Sequence, residues 1–98
     1  MSLRLVLRPE ALDEISQAAA WYEGRATGLS AEFLRALDAT LASLQRNPRQ
    51  YPVIHNNLRR ALLRRFPYSL IYTASDDEVV VVACAHGRQD PRRWFKRS

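Results

Sequence analysis

Leu3 to Leu7 reads Leu-Arg-Leu-Val-Leu, a near-alternation of apolar and polar side chains that Pro9 cuts short, and this period predicts a short first strand. Proline suits a first helical turn because its missing N–H would be unpaired there anyway. Glu10, Asp13 and Glu14 follow at the positive end of the macrodipole, so a helix begins at once. Leu12, Ile15, Ala19 and Tyr22 recur at helical spacing on one face, with Trp21 beside them, and the pattern stops near Gly24. Trp21 and Tyr22 are both expected in the core. Gly24 to Gly28 leaves room only for a turn, which predicts a second helix packed antiparallel to the first. Ser30 is its expected N-cap, and Phe33, Leu37, Leu41 and Leu44 form an apolar stripe that ends at Asn47-Pro48.

Arg49 to Asn57 has no periodicity and two prolines within reach, so it reads as a loop. From Leu58 the period changes to two. Arg60, Leu62, Arg64 and Phe66 are expected on one face and Arg59, Ala61, Leu63 and Arg65 on the other, unless a bulge reassigns them. Pro67 breaks the run. Tyr68 to Ala74 and Glu78 to Ala85 flank the polar turn Ser75-Asp76-Asp77 and predict a hairpin. Val79 to Ala85 has no polar interruption, the pattern of a strand central in its sheet or covered on both faces. Asp90 can cap and Pro91 can start a short terminal turn or helix. The order β-α-α-β-β-β predicts an α+β domain, a helical hairpin on one face of a largely antiparallel sheet with the other face partly open.

Composition sets limits on this picture. Ninety-eight residues, 47% hydrophobic and 26% charged, suit one small globular domain over 1–98. No apolar run approaches the roughly 20 residues needed to span a bilayer, and Arg4 and Arg8 interrupt any signal-like start, so a cytoplasmic protein without membrane association is expected. Cys84 is the only cysteine, and among valines and alanines it reads as a small buried hydrophobe. His55 and His86 lack the cysteines or patterned carboxylates of a metal site, and no cofactor is expected.

Charge distinguishes the two halves of the chain. The net +5 lies entirely in residues 59–98, which hold nine Lys/Arg against four Asp/Glu, while residues 1–58 balance. A basic half favours an anionic partner, nucleic acid or an acidic protein surface. Arg59, Arg60, Arg64 and Arg65 are expected to converge with Arg88, Arg92 and Arg93 on one side of the sheet. His86 is the one group suited to general base chemistry near neutral pH, with Arg88 placed to hold a phosphate, although a histidine at a strand end is more often structural. Trp94 either plugs the tail into the core or anchors an interface.

Arg64-Arg65-Phe66-Pro67-Tyr68, Tyr72, the valine-rich strand, and Ala85-His86-Gly87-Arg88 followed by Asp90-Pro91 and Trp94 together resemble the RelE/ParE superfamily of toxins from type II toxin–antitoxin systems, over essentially the whole chain. The resemblance implies a RelE/ParE-like fold and one of two main activities. RelE-like members cut messenger RNA on the ribosome with lysines and arginines on the sheet and a terminal tyrosine or histidine. This chain instead has Leu62, Ser69 and Gln89 where such groups are expected, and Trp94 near the place of the terminal tyrosine. The Phe-Pro-Tyr corner and the proline-tryptophan tail look more like ParE, whose characterised members inhibit DNA gyrase by binding. The resemblance therefore implies a gyrase-binding toxin neutralised by a cognate ParD-like antitoxin, with Arg60, Arg64, Arg65, Tyr68, His86, Arg88, Arg92, Arg93 and Trp94 as target-binding residues. The alternatives are a messenger RNA endoribonuclease using Arg64, Arg65, His86 and Arg88, or a non-toxic member that only binds antitoxin. The helical stripe that includes Leu34 and Leu41 is the region where an antitoxin would be expected to dock.

Overall fold

The computed structural model describes residues 3–97. Strand β1 (Arg4–Leu7) leads into helices α1 (Pro9–Arg25) and α2 (Leu29–Arg46), followed by β2 (Val53–His55), β3 (Leu58–Leu62), β4 (Tyr68–Ala74) and β5 (Glu78–His86). Short 3₁₀ segments occupy Pro48–Gln50 and Pro91–Arg97. The sheet order is β1-β5-β4-β3-β2; β1 runs parallel to β5 and the other pairs are antiparallel. The helical hairpin and largely antiparallel sheet follow the β-α-α-β-β-β order expected from the residue pattern, with β2 added before β3.

α1 starts at Pro9, its first turn carrying Glu10, and Leu12 N–H reaches back to Arg8 C=O at 3.0 Å. Its buried face is Ala11, Ile15, Ala18 and Tyr22. Leu12 is 49% exposed and Trp21 is 55% exposed, so neither lies in the core as their spacing suggested. The face of α1 that packs against β5 is the one carrying Ala11, Ile15, Ala18 and Tyr22.

α2 is capped differently from the expected Ser30. Gly28 is its N-cap, in the left-handed region at φ 87°, and Ser30 lies inside the first turn. The Glu23 carboxylate, from the end of α1, accepts the N–H groups of Gly28 and Ser30 at 3.1 Å each and the Ser30 hydroxyl at 2.7 Å. A residue of one helix thus satisfies the orphan donors of the next. Phe33, Leu37 and Leu44 are buried as predicted, Thr40 takes the intervening position by donating to Ala36 C=O, and Leu41 is half-buried.

The stretch expected as loop contains β2, which pairs Val53 with Arg59 and His55 with Leu58. Three residues carry no periodic signal; the pairing comes from the neighbouring strand. Tyr72 donates its hydroxyl to Pro48 C=O, and Arg59 Nη1 donates to Tyr51 C=O at 2.6 Å, which pin this segment to the sheet.

β3 ends at Leu62, earlier than its alternation suggested. Leu63 N–H bonds Tyr68 C=O at 2.9 Å, and Arg65 takes a left-handed φ of 69°. The resulting corner swings Phe66 to the helix side, where it joins Tyr22, Phe33 and Tyr68 in an aromatic cluster with centroids 4.9–6.0 Å apart. Phe66 therefore packs with Leu63, not on the Arg60 and Leu62 side.

Two hydrophobic clusters sandwich the sheet. The helices cover one face; the other holds Leu58, Ile71, Val82, Ala83 and Ala85 beneath Trp94. That second face, expected to stay partly open, is covered by the terminal 3₁₀ segment. Trp94 is 2% exposed, and Phe95 stacks on His55 with ring centroids 3.9 Å apart and planes 5° from parallel. β5, lying between β1 and β4 and packed on both faces, carries the unbroken apolar run its sequence showed.

Candidate functional site

At the end of β5 the chain folds into a self-satisfied turn. His86 N–H donates to Gln89 Oε1 at 2.9 Å, Gln89 N–H returns to His86 C=O at 3.0 Å, and Gly87 N–H donates to Pro67 C=O at 2.7 Å. His86 Nδ1 accepts the Arg88 N–H at 3.0 Å, which places the proton of the neutral ring on Nε2. The ring lies edge-on to Tyr68 at 5.1 Å. His86 therefore serves first as a turn anchor, and Gln89, standing where a tail arginine was expected, is part of the same turn.

A groove of about 760 Å³ opens between this turn and α1, lined among others by Glu14, Trp21, Tyr22, Tyr68, His86 and Arg93. Burial raises the phenol pKa of both Tyr22 and Tyr68 above its ordinary value. Arg25 sits over the exposed Trp21 ring at 4.8 Å, and Arg93 over the Trp94 ring at 5.7 Å. The Cys84 thiol, also at the groove floor, is pushed up to about 12 by burial, with the Glu14 charge acting in the same direction. A thiol held protonated is neither nucleophile nor metal ligand at neutral pH.

Glu14 closes the open edge of β5. β1 pairs β5 only as far as Val81, and beyond that point Cys84 N–H donates to Glu14 Oε1 at 3.0 Å while Arg97 Nη1 donates to Val82 C=O at 3.1 Å. Arg97 Nη1 also bonds both Glu14 carboxylate oxygens at 3.1 and 3.2 Å. The ion pair stands in for a missing strand, and it also latches the tail. Neither residue stood out in the sequence, since a single acid on a helix and an arginine 83 positions later share no pattern.

The remaining arginines divide between several places. Arg60 Nε donates to Ser69 Oγ at 3.0 Å, with Ser69 buried on β4; Arg65 pairs with Glu32 of α2 at 3.0 Å. Arg92 clamps Asp90 with contacts down to 2.6 Å, and that pairing holds the Asp90 carboxyl below its ordinary value. Arg64 lines a second groove, with Arg46 of α2. Tyr68, His86 and Arg93 thus line one groove and Arg64 another, while Arg60, Arg65 and Arg92 are engaged by Ser69, Glu32 and Asp90. Arg88 is exposed at the turn beside His86. Trp94, buried, belongs to the core that holds the tail. No group of three or more His, Cys, Asp or Glu among the described residues is placed to hold a metal ion.

The comparisons with known proteins agree with the geometry. The family model described as the ParE toxin of the type II toxin-antitoxin system parDE matches residues 5–91. Among solved structures, a chain of the chromosomal ParDE TA system from P. aeruginosa superposes with a TM-score of 0.73 at 16% identity, over 87% of this chain and 96% of that one. No curated protein matches.

Proposed function

The chain belongs to the ParE toxin family of type II toxin–antitoxin systems, and we propose that it is the toxin of such a pair, acting by binding DNA gyrase and restrained by a cognate ParD-like antitoxin. The single observation that carries binding over cleavage is the chemical content of the His86 turn and the adjoining Leu62–Ser69 pair of β3 and β4. Ribonucleolytic cleavage requires a base for the 2′-OH, donors for the phosphorane and an acid for the leaving oxygen. Here Leu62 has no titratable group, Ser69 is buried and bonded to Arg60, and Gln89 and His86 Nδ1 are committed to the turn. Arg88, Arg93 and Tyr68, which surround this turn, are the residues proposed to contact the target. Arg92, turned onto Asp90, and Arg65, turned onto Glu32, must exchange those partners to do so.

On this reading the whole chain acts as one cytoplasmic domain without a cofactor. No helix among the described residues is long and apolar enough to cross a membrane. The similar P. aeruginosa chain comes from a ParDE toxin–antitoxin system, which supports an antitoxin partner here. The test uses the purified chain in a gyrase supercoiling and cleavage assay beside a ribosome-bound messenger cleavage assay. Inhibition of gyrase without messenger cleavage is expected. Messenger cleavage that disappears in His86→Ala or Arg65→Ala, with gyrase untouched, would overturn the proposal.

A further inference from the structure

The groove of about 760 Å³ between α1 and the His86 turn has the size of a small-molecule site, and its polar groups are one-sided. Tyr22 and Tyr68 line it, and neither hydroxyl has a hydrogen-bond partner among the described residues. No side-chain oxygen there is buried without one, so both hydroxyls meet solvent. Burial raises both phenol pKa values, so each keeps the proton it can donate. His86 Nδ1 is occupied by the Arg88 N–H, which leaves the Nε2–H as a third donor. Arg93 adds a positive charge with no acid partner among the described residues. The carboxylate in the lining, Glu14, is already taken up by the Cys84 N–H and Arg97.

Beside these donors stands an aromatic plane. Trp21 is 55% exposed, yet its ring is held: Arg25 lies over it at 4.8 Å, and Tyr22 meets it edge-on with centroids 5.1 Å apart. An indole kept in place next to donors without acceptors suits a planar, acceptor-rich anion.

We propose that this groove binds a free nucleoside phosphate, with the base against Trp21, the phosphate on Arg93 and the His86 Nε2–H, and the Tyr22 and Tyr68 hydroxyls donating to the remaining acceptors. Each alternative leaves part of the site unused. Inorganic phosphate has nothing to set against Trp21. A metal ion needs several deprotonated ligands and would find one carboxylate, already engaged. A nucleic-acid strand needs cations along successive phosphates, and the lining supplies Arg93 alone: Arg65 and Arg92 hold Glu32 and Asp90, and Arg64 lines the groove beside α2. One cation suits one phosphate group. The lining does not include Leu62 or Ser69, and the site calls for no cleavage of its ligand.

The experiment titrates the purified chain, in phosphate-free buffer, with the nucleoside monophosphates of adenine, guanine, cytosine and uracil by calorimetry. The matching nucleosides, inorganic phosphate and a short single-stranded oligonucleotide are run beside them, and the titrations are repeated on Trp21→Ala and Arg93→Gln. At least one monophosphate should bind with a Kd below about 1 mM, more tightly than its nucleoside or phosphate alone. Trp21→Ala should weaken it about fivefold or more and Arg93→Gln about tenfold, and the Trp21 indole N–H should shift in a proton–nitrogen NMR spectrum of the wild type. No monophosphate binding below about 1 mM, equal affinity for inorganic phosphate, unchanged affinity in either variant, an unmoved Trp21 indole, or binding of the oligonucleotide alone overturns the site. If a variant does not fold, as read by circular dichroism, the indole shift in the wild type decides. Failure here leaves the toxin–antitoxin reading standing, because the titration reads a ligand and no target.

Discussion

Glu23 is exposed, yet its carboxylate gathers one hydroxyl and two backbone N–H groups at the start of α2. The Ser30 hydroxyl, then the Gly28 and Ser30 N–H groups, hold its pKa below the ordinary 4.5. Because the folded value is depressed, the stabilisation is full above the unfolded value and is lost as pH falls through the folded one. Glu23→Gln is therefore expected to lower the melting temperature at pH 7 and to match the wild type well below the ordinary carboxylate range; an equal difference at both pH values would refute this role. Cys84 gives a second check at this scale. Its thiol, raised to about 12 chiefly by burial, should resist alkylation in the folded protein at pH 8 and react once urea exposes it. Prompt labelling of the native chain would mean the site is open. Sequence spacing identified Cys84 as buried because its neighbours on β5 are all small or branched apolar residues. It placed Trp21 and Leu12 wrongly because helical period alone does not say which neighbouring residue of a stripe points at the sheet.

The decisive element is the tail. Pro91–Arg97 is held by Trp94 in the second core cluster, by Phe95 on His55, and by Arg97 on Glu14 and Val82 C=O. Trp94→Ala should cost about 3–5 kcal/mol in denaturant unfolding, and ANS binding should rise as the face formed by Leu58, Ile71 and Val82 opens. A loss under about 1 kcal/mol would place the tail's anchor elsewhere. Glu14→Ala should destabilise more than Arg97→Ala, by about 1–3 kcal/mol, because it also leaves the Cys84 N–H without its acceptor; equal costs would show that the ion pair matters and the strand edge does not. The short cap-and-proline start of this segment was readable in Asp90-Pro91. Its role as lid of a sheet face was not, since that depends on where β2 and β3 place His55 and Leu58.

At the scale of the whole molecule, a net +5 concentrated in the second half steers acidic partners, and their association rate should fall about tenfold or more as ionic strength rises toward about 0.5 M. A salt-independent rate in stopped-flow mixing would remove electrostatics from recognition. Legible along the chain were the first strand, the two helices, the β4–β5 hairpin and the burial of β5, but not β2, because the legible features are local: periods of 3.6 and 2, a proline at a helix start, a polar turn between two strand-forming runs. The sequence also marked the residues that connect the chain to its family. How the arginines are used, which edges of the sheet are sealed, and what covers the second face became visible in three dimensions alone. Those depend on pairs such as Glu14 with Arg97, and on Trp94 settling over Leu58 and Ile71. Separations of many residues and the hand of one corner at Arg65 set them, and neither leaves a periodic trace along the chain.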